Sequence, residues 1–77
     1  MNNNLTKVGI LGGSGFTGEE LLKILSGHTK TKVIAVSSRE LIGQRTNEIV
    51  EGSNLGFVDP SDDIFFECDA IFFATPH

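Results

Sequence analysis

A parallel α/β sheet with helices on both faces is the fold class this sequence predicts, and three observations predict it. The apolar run Lys7-Val8-Gly9-Ile10-Leu11 breaks into the glycine cluster Gly12-Gly13-Ser14-Gly15-Phe16-Thr17-Gly18, and a helical pattern follows at once. A second apolar run, Val33-Ile34-Ala35-Val36, comes one helix later. A third, Ala70-Ile71-Phe72-Phe73-Ala74, closes the chain. Strand, crossover helix and parallel strand form a right-handed βαβ unit. Nearly continuous apolar strands are those covered on both faces. With the glycine cluster at the first strand-to-helix turn, the pattern is Rossmann-like, and about four strands of such a sheet fit in the chain.

The length of 77 residues allows one domain at most and is short for a complete fold of this type. Residues 1–77 therefore read as the N-terminal part of a dinucleotide-binding domain, with the rest of that domain and any substrate domain outside them. A core this small is marginal, since such a domain buries only about 60% of its unfolded surface. The chain is acidic, with net charge −4 and scattered Lys and Arg, which argues against a nucleic-acid partner. The single cysteine, Cys68, has no partner for an internal disulfide. The polar start Met1-Asn2-Asn3-Asn4 is no signal sequence, and no apolar run is long enough to span a bilayer. The expectation is a cytoplasmic protein without membrane attachment.

The first strand is expected over Lys7 to Gly12, with Gly9 marking a close approach by a helix. The glycines read as Gly13-x-Gly15-x-x-Gly18 or as Gly12-x-x-Gly15-x-x-Gly18. Both give the same physics: the chain reverses sharply, and bare backbone lets a diphosphate come close to the free N–H groups of a helix N-terminus. Ser14 and Thr17 add hydroxyl donors there. A glycine motif alone is common and also serves plain tight turns. Its place between a strand and a helix lifts it above that.

The helix is expected from about Gly15 to Ser26, with Leu21, Leu22, Ile24 and Leu25 as its apolar stripe and Gly27 as its stop. Thr17 and Glu20 have capping-box spacing, which would start the helix slightly later. His28 beyond it faces solvent and has no metal partner at ligand spacing.

The second strand is expected over Lys32 to Val36. An NAD site carries Asp or Glu about 20 residues after the glycines, to accept from the ribose hydroxyls. Here the strand ends in Ser37-Ser38-Arg39. Two hydroxyls and a guanidinium suit a ribose 2′-phosphate, which points to NADP(H), with Glu40 the one objection. A solvated polar loop is the plain alternative for these residues.

Residues 41–56 read as an irregular connection with a short helical turn at Thr46 to Val50. Gly56-Phe57-Val58 is expected to form a short third strand. Ile64 to Phe66 are strand-like in composition, yet too few residues separate them from the next strand for a parallel crossover. A short helix fits better, capped by Ser61, with both phenylalanines packing inward and Cys68 a small buried residue. Asp69 to Thr75 is the fourth strand, and Ala74, Thr75 and Pro76 lie at its carboxyl end, where an open α/β sheet holds its ligand. His77 could serve as an acid or base by type, but it has no partner residue, and a positioning or surface role is the expectation.

The stretch Val8 to Leu22 resembles the opening of the N-acetyl-gamma-glutamyl-phosphate reductase family, which typically reads G-A-S-G-Y-T-G-A-E-L-L. Gly13 and Phe16 stand where Ala and Tyr are usual. Ser38-Arg39 and the closing Phe72-Phe73-Ala74-Thr75-Pro76-His77 are similar to the same family, while 42–63 match poorly. The resemblance implies an NADPH-dependent oxidoreductase of arginine biosynthesis that reduces an acyl phosphate to N-acetylglutamate semialdehyde, homo-oligomeric at full length. It implies cofactor contacts at Gly12, Gly13, Ser14, Gly15, Phe16, Thr17, Gly18, Ser37, Ser38, Arg39, Ala74, Thr75 and Pro76. The family's thioester-forming cysteine and its acid/base histidine lie beyond position 77, and neither Cys68 nor His77 matches their motifs. No catalytic and no metal-binding residue is therefore expected in these 77 residues, which alone would be inactive. Aspartate-semialdehyde dehydrogenase and the carrier-linked aminoadipyl-phosphate reductases share fold and chemistry and are the nearest alternatives. An NADP-binding epimerase or reductase of the extended short-chain type, or a nucleotide-binding module without chemistry, also fits the glycine pattern.

Overall fold

The computed structural model describes residues 5–74. Its elements are strand β1 (Thr6–Leu11), helix α1 (Phe16–Ser26), strand β2 (Thr31–Val36), a 3-10 helix (Asp63–Glu67) and strand β3 (Ala70–Phe73). The strands form one parallel sheet in the order β2-β1-β3. The first strand in sequence is thus the central one, and both later strands run beside it. Val8 lies across from Val33 and Ala70, and Ile10 across from Val36 and Phe72.

Alternation along β1 sets the two faces of the sheet. Val8 and Ile10 point to α1 and form the core with Leu22, Leu25, Val36 and Phe57. Ile10, Leu22 and Val36 are wholly buried. Truncating such a side chain to alanine costs about 2–5 kcal/mol. Gly9 faces the other way, where the 3-10 helix packs. A Cβ on Gly9 would lie 2.8 Å from Cys68 Sγ and 2.9 Å from the Phe65 ring. The close approach expected at Gly9 is real, and the 3-10 helix makes it.

Helix α1 starts one residue after the expected position, with Gly15 as an N-cap that offers no side-chain bond. Thr17 therefore sits inside the first turn and forms no capping box. At the other end the Gly27 and His28 N–H groups bond back to the Lys23 and Leu25 carbonyls. Exposed His28 uses Nδ1 to accept from the Lys30 N–H at 3.0 Å.

Four expectations need correction. Gly56 to Val58 do not form a strand. Val58 makes an isolated parallel bridge with Ser37, while Gly56 turns back to make an antiparallel bridge with Arg45. Each is a lone bridge with no consecutive pair to extend it into a ladder, so the sheet among the described residues has three strands rather than four. The helical connection before β3 is present, but its cap is Asp62, whose carboxylate accepts from the Ile64 N–H at 2.9 Å. Ser61 instead bonds Asp59 through both its N–H and its hydroxyl. Phe65 is buried and Phe66 is 88% exposed. Consecutive residues in a 3-10 helix point about 120° apart, so only one of the two rings can face the sheet. Cys68 is half-buried.

The connection 41–56 is held by Thr46. Its buried hydroxyl pairs with Ser53 Oγ at 2.6 Å and donates to the Leu55 carbonyl at 3.1 Å. The Ile49 and Val50 N–H groups close a single helical turn on the Thr46 carbonyl. Strand β3 is an edge with all four residues exposed, Phe73 most of all. No helix among the described residues is long and apolar enough to cross a membrane.

Candidate functional site

The carboxyl ends of β1 and β2 meet at Ser37. Its N–H donates to the Ile10 carbonyl at 2.9 Å, its carbonyl accepts from the Gly13 N–H at 2.8 Å, and its Oγ accepts from the Gly12 N–H at 3.0 Å. The chain leaves β1 through Gly12 at φ +87°, a left-handed conformation that suits glycine. That turn throws the backbone across the sheet edge and into α1.

The glycines divide the work. A Cβ on Gly13 would collide with the Val36 side chain, and one on Gly18 would lie 2.5 Å from the Gly13 Cα. These two let the helix start press against the turn. Around Gly15 nothing lies within 4 Å of a built Cβ. The space beside Gly15 is open, so its missing side chain serves no packing contact. The first helical bond runs from the Glu19 N–H to the Gly15 carbonyl at 2.9 Å. The N–H groups of the first turn before Glu19 have no acceptor within the helix and stand at its positive end. Phe16 and Thr17 are exposed there, and Ser14 is half-buried.

A cleft of about 630 Å³ opens beside this turn, lined by Leu11, Gly12, Ser14, Ser37, Ser38, Arg39, Glu40, Pro60 and Phe73. It lies beyond the carboxyl ends of the strands, where open α/β sheets bind ligands. A second hollow of about 590 Å³ lies between Leu5, Thr31 and residues 50–55, at the opposite ends of β1 and β2 and away from the glycine turn.

The fold places Gly12 and Ser14 of the turn on one cleft with Ser37, Ser38 and Arg39, while Gly13, Gly15, Phe16, Thr17 and Gly18 do not line it. The fold gives Ser37, Ser38 and Arg39 different surroundings. Ser37 is completely buried, and Ser38 is 3% exposed. Ser38 Oγ accepts from the Glu40 and Leu41 N–H groups at 3.2 and 3.0 Å, which closes the loop after β2. Arg39 is exposed and makes no ion pair among the described residues. It sits near enough to Asp59 to help hold that carboxyl below its ordinary value, after the larger effect of the Ser61 hydroxyl and N–H. Ala74 is half-buried, its N–H bonded to the Leu11 carbonyl at 2.8 Å. Thr75, Pro76 and His77 lie outside the described residues.

Pro60, Phe73, Leu11 and Glu40 were not singled out as cleft residues by the sequence. The turn signal Asp59-Pro60-Ser61 and the place of Phe73 at a strand's carboxyl end were the available clues. Burial pushes the Cys68 thiol up, with Asp69 and Glu67 adding to it, so it stays protonated at neutral pH. Cys68 packs against Gly9 and does not line the cleft. No group of three or more metal-ligating side chains occurs among the described residues.

These features fit a dinucleotide: a glycine with open space beside it, N–H groups at a helix start without an acceptor in the helix, and an arginine on the cleft that makes no ion pair among the described residues. Comparison with known proteins agrees. The family described as "Semialdehyde dehydrogenase, NAD binding domain" matches residues 7–77. The N-acetyl-gamma-glutamyl-phosphate reductase of Saccharophagus degradans is 44% identical over 95% of this chain and 22% of its own length. That of Ruthia magnifica is 44% identical over 95% of this chain and 23% of its own. The protein of the same name in Archaeoglobus fulgidus is 45% identical over 92% of this chain and 23% of its own. The chain thus spans less than a quarter of the relatives it matches.

Proposed function

The chain belongs to the semialdehyde dehydrogenase NAD-binding domain family, and on that premise we propose that it is the cofactor-binding part of an oxidoreductase that reduces N-acetyl-gamma-glutamyl phosphate with NADPH. The activity belongs to arginine biosynthesis in the cytoplasm, and the enzyme is a homo-oligomer at full length. The reading is supported by the names of the relatives and by one observation above others. The cleft joins Gly12 and Ser14 of the glycine turn to Ser38 and Arg39, and Arg39 makes no ion pair among the described residues.

When bound, the dinucleotide supplies a hydride. This chain's residues hold and orient it. The N–H groups of Gly15, Phe16 and Thr17 take the diphosphate, with the Ser14 and Thr17 hydroxyls beside them. Gly15 lets the phosphates reach backbone. Arg39 takes the ribose 2′-phosphate by a charge-assisted bond, and the loop closed by Ser38 carries it. Glu40, which also lines the cleft, opposes a phosphate there, and the Arg39 charge offsets it. Ala74, at the carboxyl end of β3, borders the cofactor. Residues 1–77 contribute no catalytic side chain, and Cys68 is a packing residue. Titration of the protein with NADPH and NADH tests the reading: tighter binding of NADPH supports it, and a preference for NADH overturns the 2′-phosphate assignment.

A further inference from the structure

We propose that Ser37 is a positioning residue that presets the glycine turn for the diphosphate and does not touch the 2′-phosphate. The inference rests on the cofactor reading of the cleft given above. Ser37 is at the end of β2, where a hydroxyl looks like a ribose or phosphate donor. The structure gives that hydroxyl another partner. The residue is completely buried, and its Oγ lies 3.0 Å from the Gly12 nitrogen.

All three polar groups of Ser37 face the turn or the strand before it. Its carbonyl takes the Gly13 N–H at 2.8 Å, its own N–H goes to the Ile10 carbonyl at 2.9 Å, and its Oγ takes the Gly12 N–H. The backbone of Ser37 pairs on its other side with Val58 through the Ser38 N–H and the Val58 carbonyl, 3.0 Å apart. The Ser37 backbone is therefore held between β1 and the segment before Pro60, and its hydroxyl, although the residue borders the cleft, is engaged by the Gly12 N–H. Its effect on the turn is directional. The first two N–H groups after β1 are drawn down into the sheet. Those that follow, at the start of α1, are left facing the ligand side. The left-handed Gly12, at φ +87°, is the hinge that this bond locks. A backbone locked before binding loses less entropy on binding.

The role separates cleanly from that of Arg39 by choice of ligand. NADPH carries both a diphosphate and a 2′-phosphate, NADH only the diphosphate, and 2′-AMP only the 2′-phosphate. Calorimetric titration of the full-length protein and its Ser37→Ala variant with these three compounds tests the proposal. Loss of the buried acceptor is expected to weaken NADPH and NADH by the same factor, about tenfold, leaving 2′-AMP unchanged. Parallel loss of NADPH and 2′-AMP with NADH unaffected would make Ser37 a 2′-phosphate ligand and overturn the proposal, as would unchanged affinity for all three. Amide hydrogen exchange of the ligand-free, unsubstituted protein gives a readout that needs neither the variant's folding nor cofactor binding. Gly12 and Gly13 are expected to be protected and Gly15 to Thr17 to exchange freely, whereas a freely exchanging Gly12 overturns the clamp. Failure of the unsubstituted protein to bind NADPH, with Gly12 protected, would instead count against the cofactor reading.

Discussion

Gly18 on the first turn of α1 rests so closely on Gly13 that a Cβ on Gly18 would lie 2.5 Å from the Gly13 Cα. The atoms it would meet are backbone, including the Gly12 carbonyl, and they are already tied to Ser37. They cannot step aside as a flexible side chain would. Gly18→Ala is expected to lift the helix from the turn and to destabilise the fold by about 3 kcal/mol, the upper part of the range for overpacking. Urea denaturation checks this, with a lowered midpoint as the expected outcome.

Gly15 is the opposite case. It has ordinary extended backbone, with φ −86° and ψ 176°, and open space around it. Gly15→Val is expected to lower stability by only about 1 kcal/mol, the scale of replacing a favoured N-cap residue. It is expected to abolish NADPH binding, because the branched side chain stands where the diphosphate approaches. Denaturation and titration on the same preparation check both halves.

Arg39→Ala is expected to weaken NADPH by about tenfold or more, the scale of a bond to a charged group, and to leave NADH nearly unchanged. The ratio of the two dissociation constants is the quantity to measure. Equal losses for both would remove the 2′-phosphate role.

Asp59 gives a prediction about pH. Its folded-state carboxyl is held below the ordinary value, first by the Ser61 hydroxyl, then by the Ser61 N–H, with Arg39 adding to both. A depressed carboxyl stabilises the fold above its unfolded value and loses that stabilisation as pH falls through the folded value. Ser61→Ala is therefore expected to lower stability at neutral pH. The gap from the unsubstituted protein is expected to narrow on acidification below the usual carboxylate range near 4. Urea midpoints across pH 2–7 measure it, and a gap independent of pH contradicts it.

The strands and helix nearest the glycine turn were legible because their signals are local. Continuous apolar residues in Lys7 to Leu11 and Val33 to Val36, and the leucines of α1, say what each segment must bury. The helical connection before β3 was legible from a length argument alone. Gly56 to Val58 were misread because composition cannot reveal that Gly56 pairs with Arg45 while Val58 pairs with Ser37. The site shows the same limit. The sequence marks Ser37, Ser38 and Arg39 as three polar residues after a strand. Only tertiary contacts separate the buried hydroxyl on Gly12 from the loop-closing hydroxyl and the free guanidinium.

The central claim is that one ligand spans the cleft, its diphosphate on the start of α1 and its 2′-phosphate at Arg39. Backbone amide NMR of the labelled protein titrated with NADPH tests it most directly. The account predicts the largest shifts at Ser14 to Gly18 and at Ser38 to Glu40, with the second group much weaker when NADH is used. Shifts centred instead on residues 50–55 and Thr31, around the hollow at the far ends of the strands, would contradict it.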